Sequence, residues 1–152
     1  MFNLTVSEAH TYYVGQDGWL VHNTSCPAGT VWPRLDALAK DPATGKMAYD
    51  EATTAMRFEG QTGLSLSRDP SGGFDFMRIG TNGKPVYYDV KGANPNTRFD
   101  NKFYSSLNKQ VTNARNVDVI VDYSHMNPAQ RAATDQFISS HSQSGRFIIV
   151  GR

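Results

Sequence analysis

The middle of the chain constrains the fold most. Three short segments rich in strand-forming residues, 64–68, 74–79 and 86–91, are separated by Asp69-Pro70-Ser71-Gly72-Gly73 and by Thr81-Asn82-Gly83. Turn residues at that spacing predict three strands in an antiparallel meander. A helical pattern lies on each side. Upstream, Ala48, Ala52, Ala55 and Met56 make one apolar stripe over 46–59, and Gly60 is expected to end that helix. Downstream, past Asn94-Pro95-Asn96, residues 100–114 carry Phe103, Leu107, Val111 and Ala114 at helical spacing, which predicts a crossover helix. A short helix from Val31, a buried strand at 117–121, a helix at 128–139 with Asn127 as N-cap and a last strand at 147–150 complete the reading. The predicted class is α/β (α+β): a mixed β-sheet whose core order is α-β-β-β-α-β, flanked by helices.

Composition sets the outer bounds. The 152 residues suit one domain of ordinary size, and a hydrophobic fraction of 39% is that of a globular chain. The longest unbroken aliphatic stretch, 147–150, is far short of the ~20 apolar residues of a membrane-spanning helix. A single cysteine, Cys26, excludes an intrachain disulfide and a multi-cysteine zinc site. A net charge of +1 excludes nucleic-acid binding by bulk charge, though not through a local basic patch.

The first 23 residues read differently from the rest. Met1-Phe2 leads straight into Asn3-Leu4-Thr5-Val6, so a secretory signal is not expected, and 11–14 and 19–22 read as a hairpin across Gly15-Gln16-Asp17-Gly18. Residues 24–30, small and polar with Pro27 and Gly29, read as a linker to the domain 31–152.

The third strand of the meander carries Asp89-Val90-Lys91, and a period of two puts Asp89 and Lys91 on one face. A three-residue Thr81-Asn82-Gly83 loop sets Asp75 opposite Asp89, with Cβ atoms about 4.5–5.5 Å apart. Two carboxylates so placed repel unless a cation or a shared proton intervenes, so a divalent metal is the simplest resident. A two-residue loop would instead turn them to opposite faces. On the preceding helix Glu59 extends the alanine stripe and is the candidate third ligand, with Glu51 as its rival. Such a set would hold Mg²⁺ or Mn²⁺, or else Zn²⁺, against a phosphodiester, with Lys91 stabilising charge or positioning water. The plainer alternative makes Asp89 and Lys91 an ordinary surface pair and Asp75 a charge beside a turn.

With its element order, this constellation resembles the PD-(D/E)xK (restriction-endonuclease-like) nuclease superfamily over about 46–121. The resemblance implies an endonuclease in which Glu59 is the helix carboxylate, Asp75 and Asp89 are metal ligands, Lys91 is the catalytic lysine and Gln110 is a polar residue near the site. The usual proline before the first Asp is absent; Gly73-Phe74-Asp75 stands there. At the N-terminus, Asn3-Leu4-Thr5-Val6, Ala9-His10-Thr11-Tyr12-Tyr13-Val14-Gly15 and Leu20-Val21-His22-Asn23 resemble the end of a Hint (intein-like) domain. That resemblance implies an inert remnant over 1–23 in which the chain would be cut at Asn23 with help from His22. Hint domains precede the C-terminal toxins of polymorphic secreted proteins. The two resemblances together imply a contact-dependent growth inhibition toxin, secreted within a larger protein and delivered into the cytoplasm of a target cell. A cognate immunity protein would neutralise it, the toxin being a monomer or a heterodimer with that protein.

Between residues 84 and 115 six basic residues face only Asp89 and Asp100, a balance suited to a phosphate backbone. Arg98, Lys102, Lys109 and Gln110 are the candidate contacts. DNA is the expected substrate, since a metal-activated water needs no 2′-hydroxyl. Two alternatives remain at this point: a ribonuclease cutting tRNA, in which His125 or His141 could move protons, and a binding module of nucleic acid or protein without catalysis.

Overall fold

The structure, a computed structural model, describes residues 11–14, 19–22, 31–113 and 117–152, and its contacts divide the chain into two units, Met1–Arg34 and Leu35–Arg152. In the first unit β1 (Thr11–Val14) pairs antiparallel with β2 (Trp19–His22), Thr11 opposite His22. His22 is thus the last residue of the expected hairpin. Asn23 and the expected linker with Cys26 lie outside the described residues.

From α1 (Val31–Ala39) the chain continues through α2 (Tyr49–Thr62), β3 (Ser67–Arg68), β4 (Phe76–Ile79) and β5 (Pro85–Lys91). Then come α3 (Asn101–Val111), β6 (Val117–Asp122), α4 (Pro128–Ser140), a 3-10 turn (Ser144–Arg146) and β7 (Phe147–Val150). One five-stranded sheet runs β3-β4-β5-β6-β7; the first two pairings are antiparallel and the last two parallel. The mixed α+β fold read from the sequence is therefore the fold observed. The change of direction follows from the connections. A tight turn can only reverse a strand, whereas β5 reaches its parallel neighbour β6 by way of α3.

The β4–β5 register fixes the rest. Phe76 lies opposite Tyr88 and Ile79 opposite Pro85, as a three-residue loop requires. The loop is closed by the Gly80 N–H donating to the Lys84 carbonyl at 2.8 Å, and Gly83 turns it at φ 74°.

The faces of the sheet carry separate apolar clusters. Phe76, Tyr88, Val90, Ile120 and Val150 pack with Leu38 of α1 and Ala52, Ala55 and Phe58 of α2, the rings of Phe58 and Tyr88 lying 5.3 Å apart. Val119, Val121 and Phe147 pack with Phe103, Leu107 and Val111 of α3 and Ile138 of α4. Each such side chain contributes about 1.5–3 kcal/mol on burial. Caps place the helices: Asp100 accepts from the Lys102 and Phe103 N–H groups, and Asn127 forms a capping box with Gln130.

Local boundaries differ from expectation: α2 begins at Tyr49 and not at 46, and β4 at Phe76 and not at 74. Gly60 does not end α2, which runs on to Thr62. Gly63 takes the left-handed cap at φ 71°, its N–H donating to the Glu59 carbonyl at 2.8 Å, because a glycine is needed where the chain leaves the helix rather than within it. The first meander strand shortens to Ser67–Arg68 because the Leu66 N–H is taken by a side chain, the Glu59 carboxylate, at 2.7 Å. No described helix is long and apolar enough to cross a membrane.

Candidate active site

Asp75 stands one residue before β4, opposite Asp89 by continuation of the register. The backbone ladder ends there, and a side chain continues it: Asp75 Oδ2 accepts the Val90 N–H at 2.7 Å. The two strands therefore part at the point where both carboxylates sit. Asp89 is only 6% exposed. Burial pushes the Asp75 carboxyl above its ordinary range, against the Val90 hydrogen bond, and the Asp89 charge pushes it further. Burial likewise raises Asp89, opposed by Lys91 and by the bond to Asp75, with Glu51 adding to the rise. Two carboxyls that each resist ionising beside the other share a proton or take up a cation.

Lys91 follows on the same strand face, its Nζ 3.9 Å from Asp89 Oδ2. Behind it Gly92 has φ 85°, and a Cβ there would lie 2.7 Å from the Asp122 carbonyl oxygen, so the residue after Lys91 has to be glycine. Asp122, fully buried, accepts from Thr54 Oγ1 at 2.5 Å, Arg57 Nη1 at 2.6 Å and the Ser124 N–H at 2.8 Å. Burial would raise its carboxyl, but the bonds from Ser124 and Thr54 and the Arg57 charge hold it below the ordinary value. This hub ties the end of β6 to α2.

A second buried carboxylate shapes the approach to Asp75. Asp69 accepts from Ser71 Oγ at 2.7 Å and from the N–H groups of Ser71, Phe74 and Gly73 at 3.0, 3.0 and 3.1 Å, winding residues 69–74 into a closed loop. Burial opposes its ionisation, but those four bonds win and lower its pKa.

The helix carboxylate that lines the cleft with Asp75 and Asp89 is Glu51 rather than Glu59. Glu59 spends an oxygen on the Leu66 N–H and does not line the cleft that holds Asp75 and Asp89; Glu51 does. The expectation for Glu59 assumed a stripe running unchanged from Ala48, but α2 begins at Tyr49 and its first-turn Asp50 and Glu51 are the acidic residues of α2 that line the clefts. Glu59 lies two turns further on, roughly 12 Å along the axis. Glu51 is held by Arg68 Nη1 at 2.7 Å, and that guanidinium in turn stacks over Phe76 at 4.4 Å. Arg68 was not singled out in the sequence, where nothing distinguishes it from a surface cation.

Two adjoining clefts share Met47, Ala48 and Glu51. One of about 420 Å³ is walled by Lys46, Glu51, Arg68, Phe74, Asp75 and Asp89; the other, about 610 Å³, includes Tyr49, Asp50, Lys91 and Asn94. Together they form a groove open to solvent, with the carboxylate pair and the lysine in its wall. Arg98, Lys102 and Lys109 are exposed and Gln110 is half-buried, and none of the four lines the groove. The cause is the direction of α3, whose apolar face turns to β6 and leaves its polar face to solvent. His125 is exposed. His141 Nε2 meets Asn108 Oδ1 at 2.9 Å and its Nδ1 accepts the Gln143 N–H at 3.0 Å, so it staples the end of α4 to α3.

Among the described residues no group of three His, Cys, Asp or Glu side chains stands ready as a metal cage. Asp75 and Asp89 nevertheless suit a hard divalent cation: both are oxygen donors, adjacent and held back from ionising by burial, with the Asp89 charge adding to the burden on Asp75.

No protein-family model and no curated protein matches the sequence. Among solved structures, a CdiA-CT toxin from Burkholderia pseudomallei E479, in complex with its cognate CdiI immunity protein, is similar in fold. The TM-score is 0.55 at 21% identity, over 66% of this chain and 97% of that one.

Proposed function

We propose that this chain is a metal-dependent endonuclease toxin of the PD-(D/E)xK type, which hydrolyses phosphodiester bonds in the DNA of competing bacteria and is neutralised by a cognate immunity protein. One observation carries the catalytic half: a buried Asp75–Asp89 pair beside Lys91 in the wall of an open groove. The likeness to a toxin solved with its immunity protein supports the other half.

In this reading Asp75 and Asp89 hold Mg²⁺ or Mn²⁺ with Glu51 at the edge of the set, Arg68 keeping that carboxylate oriented. The bound ion would supply a Lewis acid and a water of lowered pKa. Lys91, its Nζ 3.9 Å from Asp89 Oδ2, stabilises the negative charge that grows on the phosphoryl oxygens. Arg98 and Lys102 adjoin the groove-lining Thr97 and Phe103 and suit the strand backbone outside the groove, with Lys109 further along α3. On the Hint resemblance residues 1–23 are a remnant released at His22-Asn23, 24–30 a linker and 31–152 the toxin, delivered from a larger secreted protein.

Plasmid DNA and bulk tRNA, each incubated with the chain in Mg²⁺ and again in EDTA, test the proposal. The expected result is DNA cleavage that stops in EDTA. Activity persisting in EDTA would remove the metal, and cleavage of tRNA alone would replace the substrate.

A further inference from the structure

We propose that the 610 Å³ cleft beside Lys91 is a subsite for one unpaired guanine base of the bound strand, read by Asp50 and Asn94. The inference rests on the nuclease reading and names the base that the site selects.

Charge comes first. The cleft wall carries Asp50 and Glu51, and the one cation among its described lining residues, Lys91, already faces Asp89. Carboxylates repel a phosphate but welcome a base edge that presents N–H donors. Shape comes second. Met47 and Tyr49, 44% and 46% exposed, are large apolar side chains open to solvent, and both border this cleft with Val90 and Ala93. The Tyr49 hydroxyl donates to Asp36 Oδ1 at 3.1 Å, which anchors the ring as a platform on which a base can stack.

The polar pair then decides which base. Asn94 Oδ1 accepts the Asn96 N–H at 2.8 Å while its Nδ2 donates to Asp50 Oδ2 at 3.1 Å. The amide is therefore fixed in orientation and has one N–H to spare beside the carboxylate. The wall thus presents acceptors next to a donor. Guanine alone offers two neighbouring donors, N1–H and the N2 amine, followed by the O6 acceptor. Adenine and thymine alternate donor and acceptor and cytosine sets one donor beside two acceptors, so each would bring a lone pair against a carboxylate oxygen. The base must leave its pair to show this edge, so the strand is single or locally opened.

The test uses the full chain in EDTA, where no cutting is needed. Fluorescent thymidine octamers carrying one central guanine, inosine, adenine or cytosine are titrated by anisotropy. The guanine octamer should bind about tenfold tighter than the adenine and cytosine ones, with inosine, which lacks the N2 amine, between them. Asp50→Asn and Asn94→Ala should erase that difference, with thermal unfolding showing both variants folded. Equal binding of all octamers, or a guanine preference untouched in both variants, would overturn the subsite. A chain that cuts plasmid DNA without preferring guanine loses this subsite alone; one that prefers guanine but cuts nothing keeps it and loses the nuclease.

Discussion

At the scale of single residues, what distinguishes Glu51 from Glu59 is the partner each carboxylate has. Glu59 satisfies a backbone donor at the start of β3, whereas Glu51 is balanced by Arg68 and adds to the charge that Asp89 feels. The two therefore separate cleanly by substitution. Glu51→Gln should lower plasmid cleavage about 10²-fold with the fold intact, as removal of a positioned charge at a reacting centre does. Glu59→Gln keeps a weaker acceptor for Leu66 and should leave cleavage near wild type, while thermal unfolding registers a cost of about 1 kcal/mol. The reverse ranking would return the helix carboxylate to Glu59. Sequence could weigh these two but not choose between them, because the choice turns on where α2 starts. Ala48 looks like a member of the stripe, yet it caps the helix from outside. The strand residues were easier to place: period two put Lys91 beside Asp89, and Asp75 fell opposite Asp89 on condition of a three-residue loop, which the β4–β5 register has.

Elements were legible wherever a chemical stop or start signal was present. Asp100 and Asn127 begin their helices by accepting backbone N–H groups, and Gly83 turns its hairpin; all three signals lie in the local sequence. Gly60 and Gly63 look alike in sequence, and only the packed length of α2 chooses between them. The first strand of the meander was read too long because a side chain 7 residues away takes its backbone donor, a contact that no local pattern encodes. Gly92 is an exacting position at this scale. It has φ 85° and the Asp122 carbonyl would be 2.7 Å from an added Cβ. Gly92→Ala should thus cost about 1–3 kcal/mol in denaturant unfolding and displace the end of β5, with cleavage falling alongside as Lys91 moves. Gly45, with φ 71° but nothing within 4 Å of an added Cβ, is the control. Gly45→Ala pays only for its backbone angle and should leave cleavage unchanged. Equal effects of the two on cleavage would mean that the close approach to Asp122 does not hold Lys91 in place.

Across the whole molecule, buried and half-buried carboxyls pull stability in opposite directions with pH, and Asp69, Asp122, Asp75 and Asp89 show it best. Asp69 and Asp122 have lowered pKa values, so the stability they supply is present above the ordinary carboxylate value of 3.8 and is lost as pH falls through their folded values. Asp75 and Asp89 have raised values, so their contribution is complete below 3.8 and is lost as pH rises through the folded values of the pair. Without metal the two effects leave a maximum of stability in weak acid and a decline toward neutrality, where the site becomes anionic. A cation bound by that pair would replace the missing proton and reverse the decline. Chemical unfolding followed from pH 3 to pH 8 checks this. In EDTA the wild type should lose stability above weak acid; in Mg²⁺ it should not; Asp75→Asn, which keeps an oxygen for the Val90 N–H, should show a smaller decline, since burial still raises Asp89 and Asp118, and no response to Mg²⁺. Identical profiles in EDTA and Mg²⁺ would separate the carboxylate pair from the metal. The same measurement places the cost of function. The groups that hold the loop and the strand ends are most stabilising at neutral pH, where the groups proposed for catalysis are least so, and the metal would bring the two into agreement.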